Sequence, residues 1–144
     1  MPAFFKAIAN INAAIRRNQV SVRVPRSWLV KRVLAILAME GFIRSYTLLS
    51  DTAANDIMVY LAYFEGVQPV LKQIIPISKP GRKVYTSLKA LFLLRKRNAT
   101  NSKVSYLKYS KFTRIIISTS KGVMTEDQAL ALRLGGELIC KFAV

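Results

Sequence analysis

Histidine is missing from this chain of 144 residues, cysteine occurs once, at Cys140, and acids are scarce, with 7 Asp and Glu against 23 Lys and Arg. Each shortage excludes something. Without His there is no nucleophile–His–acid triad, and with a single Cys besides there is no ligand set for a structural zinc. One thiol forms no disulfide within the chain. Long apolar runs are lacking too. Stretches such as 33–39 and 90–94 fall far short of the ~20 residues that span a bilayer. No P-loop and no acid cluster for a metal ion appears, so no cofactor is expected.

What is present is positive charge. The excess of 23 over 7 makes a formal +16. A small domain needs a net charge of only about 2–8 to stay soluble. So large an excess repels itself unless a polyanion lies against it. Nucleic acid is the first partner such a balance suggests, and an anionic membrane surface the second. At 52% hydrophobic and 21% charged residues, the chain has enough apolar material to fold.

The charge is unevenly placed. Between residues 66 and 125 there is no acid, yet this 60-residue window holds 13 Lys and Arg. Arg16, Arg17, Arg23, Arg26, Lys31 and Arg32 form a second basic group. Blocks of like charge at this density favour a polyanion partner over a merely solvated face.

Periodicity predicts an α+β fold. Phe4, Ile8, Ile11 and Ile15 recur at helical spacing over 3–17, with Asn18 as a stop. Residues 20–24 alternate as a strand with a valine face, which Pro25 ends. Ser27 caps a helix reaching about Glu40, with Leu29, Val33 and Leu37 inward and Gly41 at its end. Strands over 44–49 and 57–64 form a hairpin. A strand is expected to begin at 71–75, and 82–86 reads as a short one. Residues 88–94 suit either a helix or a strand, and 95–102 read as a basic loop. Asn98-Ala99-Thr100 matches a glycosylation sequon, but no secretory signal precedes it. Residues 113–118 read as a buried strand, Thr125-Glu126-Asp127-Gln128 as a capping box, and 137–142 as a final strand. Gly135-Gly136 supply permissive backbone before it. The result is two small lobes: an N-terminal α-β-α-β-β lobe over 1–68, and a β-rich lobe with one short helix over 69–144.

Between the last buried strand and the capped helix lies Ser118-Thr119-Ser120-Lys121-Gly122. Three consecutive hydroxyls can meet base edges, 2′-OH groups or phosphates, a lysine can meet a phosphate, and a glycine lets backbone approach closely. An ordinary polar turn is the plainer alternative. Ser118 and Lys121 also match the S-x-x-K spacing of penicillin-recognising enzymes. That motif needs its Ser at a helix start, whereas the capping signal stands at Thr125, and no S-D-N or K-T-G accompanies it. An enzyme is not expected.

At this loop the chain resembles a known family. Ser118-Thr119-Ser120-Lys121-Gly122-Val123-Met124-Thr125, with Leu134-Gly135-Gly136-Glu137-Leu138-Ile139-Cys140, is similar to the C-terminal signature of small-subunit ribosomal protein eight, of bacterial and organellar type. Ile15-Arg16-Arg17-Asn18, Val24-Pro25-Arg26-Ser27, Glu40-Gly41-Phe42-Ile43, Tyr63-Phe64-Glu65-Gly66 and Ser78-Lys79-Pro80-Gly81-Arg82-Lys83-Val84-Tyr85 follow that family's order. The resemblance implies a two-lobed protein that binds small-subunit rRNA directly, at an irregular helix of the central domain, beside neighbouring ribosomal proteins. It implies that Ser118, Thr119, Ser120, Lys121, Gly122 and Thr125 face that RNA. Tyr85 would pack on a nucleotide, Lys79, Arg82 and Lys83 would touch backbone, and Arg16, Arg17 and Asn18 would touch RNA from the first lobe.

The chain departs from the family in three places. Phe112-Thr113-Arg114 stands where a Gly-Leu-Gly segment is usual. Trp28 replaces a lysine before the second helix, with Lys31 and Arg32 near it. A basic insertion over about 87–111 lengthens the C-terminal lobe by about a dozen residues, and an added contact to rRNA or a neighbouring protein is expected of it. The resemblance starts near residue 4, so the first helix reads as fold and not as a presequence. Together with the scarcity of acids, this suggests an organelle-encoded protein of the mitochondrial ribosome, with a plastid or bacterial origin as the alternative. A non-ribosomal RNA chaperone or repressor is the competing function. A membrane-surface protein is a further reading, which the charge suits but the hydroxyl loop does not.

Overall fold

The computed structural model describes residues 2–50, 55–96 and 114–143. It has an α+β architecture in two compact units, one running to Ile74 and the other from Ile75 to Ala143.

In the first unit, helix α1 (Pro2–Arg16) precedes strand β1 (Ser21–Val24), helix α2 (Trp28–Met39), and strands β2 (Ile43–Leu48) and β3 (Ile57–Leu61). The three strands form an antiparallel sheet in the order β1-β3-β2. Helix ends follow local chemistry. The Ser27 hydroxyl accepts the Val30 N–H at 3.1 Å and opens α2. Gly41, at φ +80°, closes it, with Phe42 N–H donating to Leu37 C=O and Gly41 N–H to Ala38 C=O. Asn18, at φ +54°, ends α1 in the same way. The buried stripe of α2 is Val30, Val33, Leu34 and Leu37. Leu29, expected inward, is only half-buried, and Val20 is exposed where the valine face of β1 was expected to continue.

The predicted strand over 57–64 is broken after Leu61. Strand β4 (Tyr63–Phe64) pairs instead with β5 (Gln68–Pro69) in a separate two-stranded ribbon. Asn12 of α1 grips the chain near its exit from this unit. Its amide donates to Ile74 C=O and accepts from Ile74 N–H, both at 2.9 Å, in place of a strand partner.

Strand β6 (Gln73–Pro76) spans the boundary between the units, and β7 (Tyr85–Thr86), β8 (Arg114–Thr119), β9 (Gly122–Thr125) and β10 (Gly136–Ala143) follow in the second. These form a five-stranded sheet in the order β6-β10-β8-β9, with β7 also on β10. Two helices accompany it, not the one expected. Residues 88–96 form α3 (Leu88–Lys96), which Ser87 opens by accepting the Ala90 N–H, and α4 (Glu126–Ala131) follows β9. Leu91 of α3 and Ala129 of α4 join Ile77, Ile115, Ile117, Met124 and Leu138 in one core cluster. Full burial of each large side chain here is worth about 1.5–3 kcal/mol. Most of the expected basic loop, the sequon and the rest of the insertion lie outside the described residues.

Candidate nucleic-acid interface

The loop predicted over 118–122 is a tight hairpin. β8 and β9 pair from Ile116↔Thr125 to Thr119↔Gly122, which leaves Ser120 and Lys121 alone at the tip. β9 was not anticipated, because Gly-Val-Met-Thr is too short to carry an alternation signal. The turn is shaped by two groups. Gly122 holds φ +118°, a conformation that side chains rarely adopt. The Thr119 hydroxyl donates to Gly122 C=O at 2.9 Å and accepts from Lys121 N–H at 3.2 Å. Thr119 is therefore spent within the turn. Among the described residues the Ser118 and Ser120 hydroxyls have no partner. Ser120 and Lys121 are exposed.

Thr125 has a different place. It is 3% exposed, and its hydroxyl accepts from Gln128 N–H while the Gln128 side chain accepts from Thr125 N–H. The predicted capping box is thus present. Thr125 sets where the hairpin ends and the helix begins, and its hydroxyl is occupied in doing so.

The register places the other residues in one row. Tyr85 of β7 lies opposite Glu137 of β10, Glu137 opposite Ser118 of β8, and Ser118 opposite Val123 of β9. Residues directly opposite each other in antiparallel strands share a face, so all four side chains point the same way. Tyr85 and Ser118, two strands apart, are separated by about 10 Å of sheet. Tyr85 is 67% exposed, a broad apolar ring held in water at the sheet's end.

Beside this row the chain leaves the sheet and returns. Ile77 N–H donates to Ile139 C=O, and Leu138 N–H donates to Val84 C=O. Between them, Lys79-Pro80-Gly81-Arg82 forms a turn closed by reciprocal Lys79–Arg82 backbone bonds of 3.0 and 2.9 Å, with Gly81 at φ +82°. Pro followed by a left-handed Gly is the signature of a type II turn. Ser78, 1% exposed, pins its base: its hydroxyl donates to Leu138 C=O at 2.6 Å and accepts from Val84 N–H at 3.0 Å. Lys79, Arg82 and Lys83 project, exposed, next to Tyr85. The second unit thus brings together Ser118, Ser120, Lys121, Tyr85, Lys79, Arg82 and Lys83. Arg16, Arg17 and Asn18 lie in the first unit, at the exposed end of α1. Asn18 there supplies the left-handed residue that ends the helix.

The part that three residues play in shaping this surface escaped the sequence reading. Glu137 stands mid-row, half-buried, and its Oε1 is buried with no hydrogen-bond partner among the described residues. Its signal was its place directly after Gly135-Gly136 in the quoted signature. Ser78 opens one of the quoted family segments, but its role was not legible there, since the pinning depends on a strand 60 residues away. Gly136 was read as conformational freedom, whereas it is needed for space. A Cβ there would stand 2.1 Å from the Ser118 carbonyl oxygen, and one on Gly135 would stand 2.6 Å from that of Thr86. The left-handed residue closing α4 is Arg133, at φ +57°.

Cys140 is fully buried on β10, and burial pushes its thiol up, so it is held neutral and unreactive. Among the described residues no cluster of acids or thiols suits a metal ion, and no helix is long and apolar enough to cross a membrane.

Exposed cations near an aromatic ring and unpartnered hydroxyls have the composition that nucleic-acid binders present to a polyanion. Comparison with known proteins sharpens this. A family model described as Ribosomal protein S8 matches residues 4–142. Proteins named small ribosomal subunit protein uS8 from Caulobacter sp. (strain K31), Brucella abortus (strain S19) and Brucella ovis are each 37% identical over 135 residues, which is 93% of this chain and 91% of the relative. The chain belongs to the ribosomal protein S8 family.

Proposed function

We propose that the chain is a structural constituent of the small ribosomal subunit, that it binds small-subunit rRNA directly, and that the end of the second unit's sheet is where it does so. As a member of the S8 family it is not an enzyme, and its partners are rRNA and neighbouring ribosomal proteins. The observation that carries the assignment of the surface is the row Tyr85–Glu137–Ser118, flanked by the Ser120–Lys121 tip and the Lys79–Lys83 excursion.

Work divides by chemistry. Lys79, Arg82, Lys83 and Lys121 neutralise phosphates and release counterions, which gives affinity and steering. Phosphate contacts position without specifying. Ser118 and Ser120 read base edges and 2′-OH groups, and Tyr85 stacks on a base. Thr119, Gly122 and Thr125 act by holding the hairpin in shape. Regular A-form grooves hide base edges, so an irregular helix of the central domain is the fitting target. Arg16, Arg17 and Asn18 add a contact from the first unit.

The scarcity of acids and the basic insertion support placing the protein in a mitochondrial ribosome, although the named relatives are bacterial. Sedimentation of an organelle lysate tests both function and place: the protein should travel with mitochondrial small subunits. A protein found off the subunits, on messenger RNA or free, would favour a chaperone or repressor instead.

A further inference from the structure

Outside the surface just described, the outer face of α2 carries an aromatic side chain with no structural use for it. The core stripe is Val30, Val33, Leu34 and Leu37. At 100° per residue, Trp28 lies about 170° around the axis from the centre of that stripe. It is 63% exposed. Arg32, one turn on, holds its guanidinium 5.7 Å from the centroid of the indole ring, within cation–π range. Lys31 and Arg26 are exposed nearby, on either side of the Ser27 cap that fixes the first turn. No acid precedes Glu40 in the chain, so the first 39 residues hold seven cations and no anion.

An exposed aromatic ring beside fixed cations is the composition of a single-strand platform, in which the ring stacks on a base and the cations take the flanking phosphates. We propose that Trp28 and Arg32 form a second RNA site, which takes one unpaired nucleobase, with Arg26 and Lys31 on the adjoining phosphates. The site rests on the reading of the chain as an RNA binder, and it lies in a different unit from the sheet-end surface. Charge favours RNA over an apolar protein partner, because Arg32 lies against the ring and Arg26 and Lys31 are exposed within three residues of it.

Trp28 is the chain's only tryptophan, so its fluorescence reports this site alone. The full chain is titrated with a short oligouridylate, with a central-domain rRNA fragment, and with phosphatidylcholine–phosphatidylserine vesicles. Stacking should quench the emission with either RNA. Trp28→Ala should weaken oligouridylate binding about 5- to 150-fold, the loss of one base–aromatic stack, with its salt slope unchanged. Trp28→Phe should recover most of it, and Arg32→Ala should lower the slope by about one phosphate. RNA binding without quenching, and with Trp28→Ala at wild-type affinity, overturns the site and leaves the rRNA reading intact. Wild-type protein that binds neither RNA overturns the rRNA reading itself. A blue shift with vesicles and no response to RNA assigns the face to membrane and also overturns the site. The wild-type quench decides the matter even if a variant misfolds.

Discussion

Ser120 and Lys83 are both exposed and near the same surface, but they should fail differently. Removing the Ser120 hydroxyl takes away a recognition bond, so Ser120→Ala should weaken specific rRNA binding by about 1–3 kcal/mol with little change in salt slope. Lys83→Ala should lower the slope by about one phosphate-equivalent and weaken all RNAs alike. Identical behaviour of the two in salt titrations would contradict the division between reading and positioning. Gly136→Ala probes spacing. The new Cβ would meet the Ser118 carbonyl, so β8 must shift, at about 1–3 kcal/mol of stability. Both the melting temperature and specific affinity should fall, whereas a surface glycine of no consequence would leave both unchanged.

Elements were legible where their signals are local. Ser27, Gly41 and the Thr125–Gln128 box act within four residues, and the structure has them where the sequence placed them. The β8–β9 hairpin was not legible, because its register depends on partners and not on its own alternation. Gly135-Gly136 was read for torsional freedom, but the left-handed turn falls on Arg133 and the glycines answer to neighbouring strands. Around the bulge between Leu138 and Cys140, Ile139 is buried along with both. Thr125→Ala removes a helix cap beneath the hairpin. It should cost about 0.5–2 kcal/mol in denaturant unfolding, and RNA affinity should fall only as far as the hairpin loosens. An affinity loss with unchanged stability would show a direct contact instead.

At the scale of the molecule, the +16 charge governs how binding responds to solution conditions. If about 6–10 phosphates are neutralised, affinity should drop by roughly 10³–10⁵ between about 50 and 200 mM salt on the duplex-DNA scale, and somewhat less for other RNA shapes. A flat salt response would remove the electrostatic account. The missing histidines matter here too. No side chain with an ordinary pKa titrates between about pH 6 and 7.5, so rRNA affinity should stay within about twofold over that range. A steep change there would reveal a titrating group in the interface.

The sequence by itself determined the kind of partner, the folded state and the helix caps, because charge, apolar content and capping act through composition or through neighbours a few residues apart. It also carried the family signature, since Ser118 to Thr125 and Gly135-Gly136-Glu137 are contiguous stretches. Only the tertiary structure decided which hydroxyls are free and which are spent, that Glu137 stands between Tyr85 and Ser118, and that Ser78 anchors the basic turn. Those outcomes depend on strand register, which couples residues tens of positions apart through backbone hydrogen bonds. The one catalytic pattern in the sequence, the Ser118–Lys121 spacing, also fell to the tertiary structure, which puts Ser118 on a strand and Lys121 at a hairpin tip and neither at a helix start.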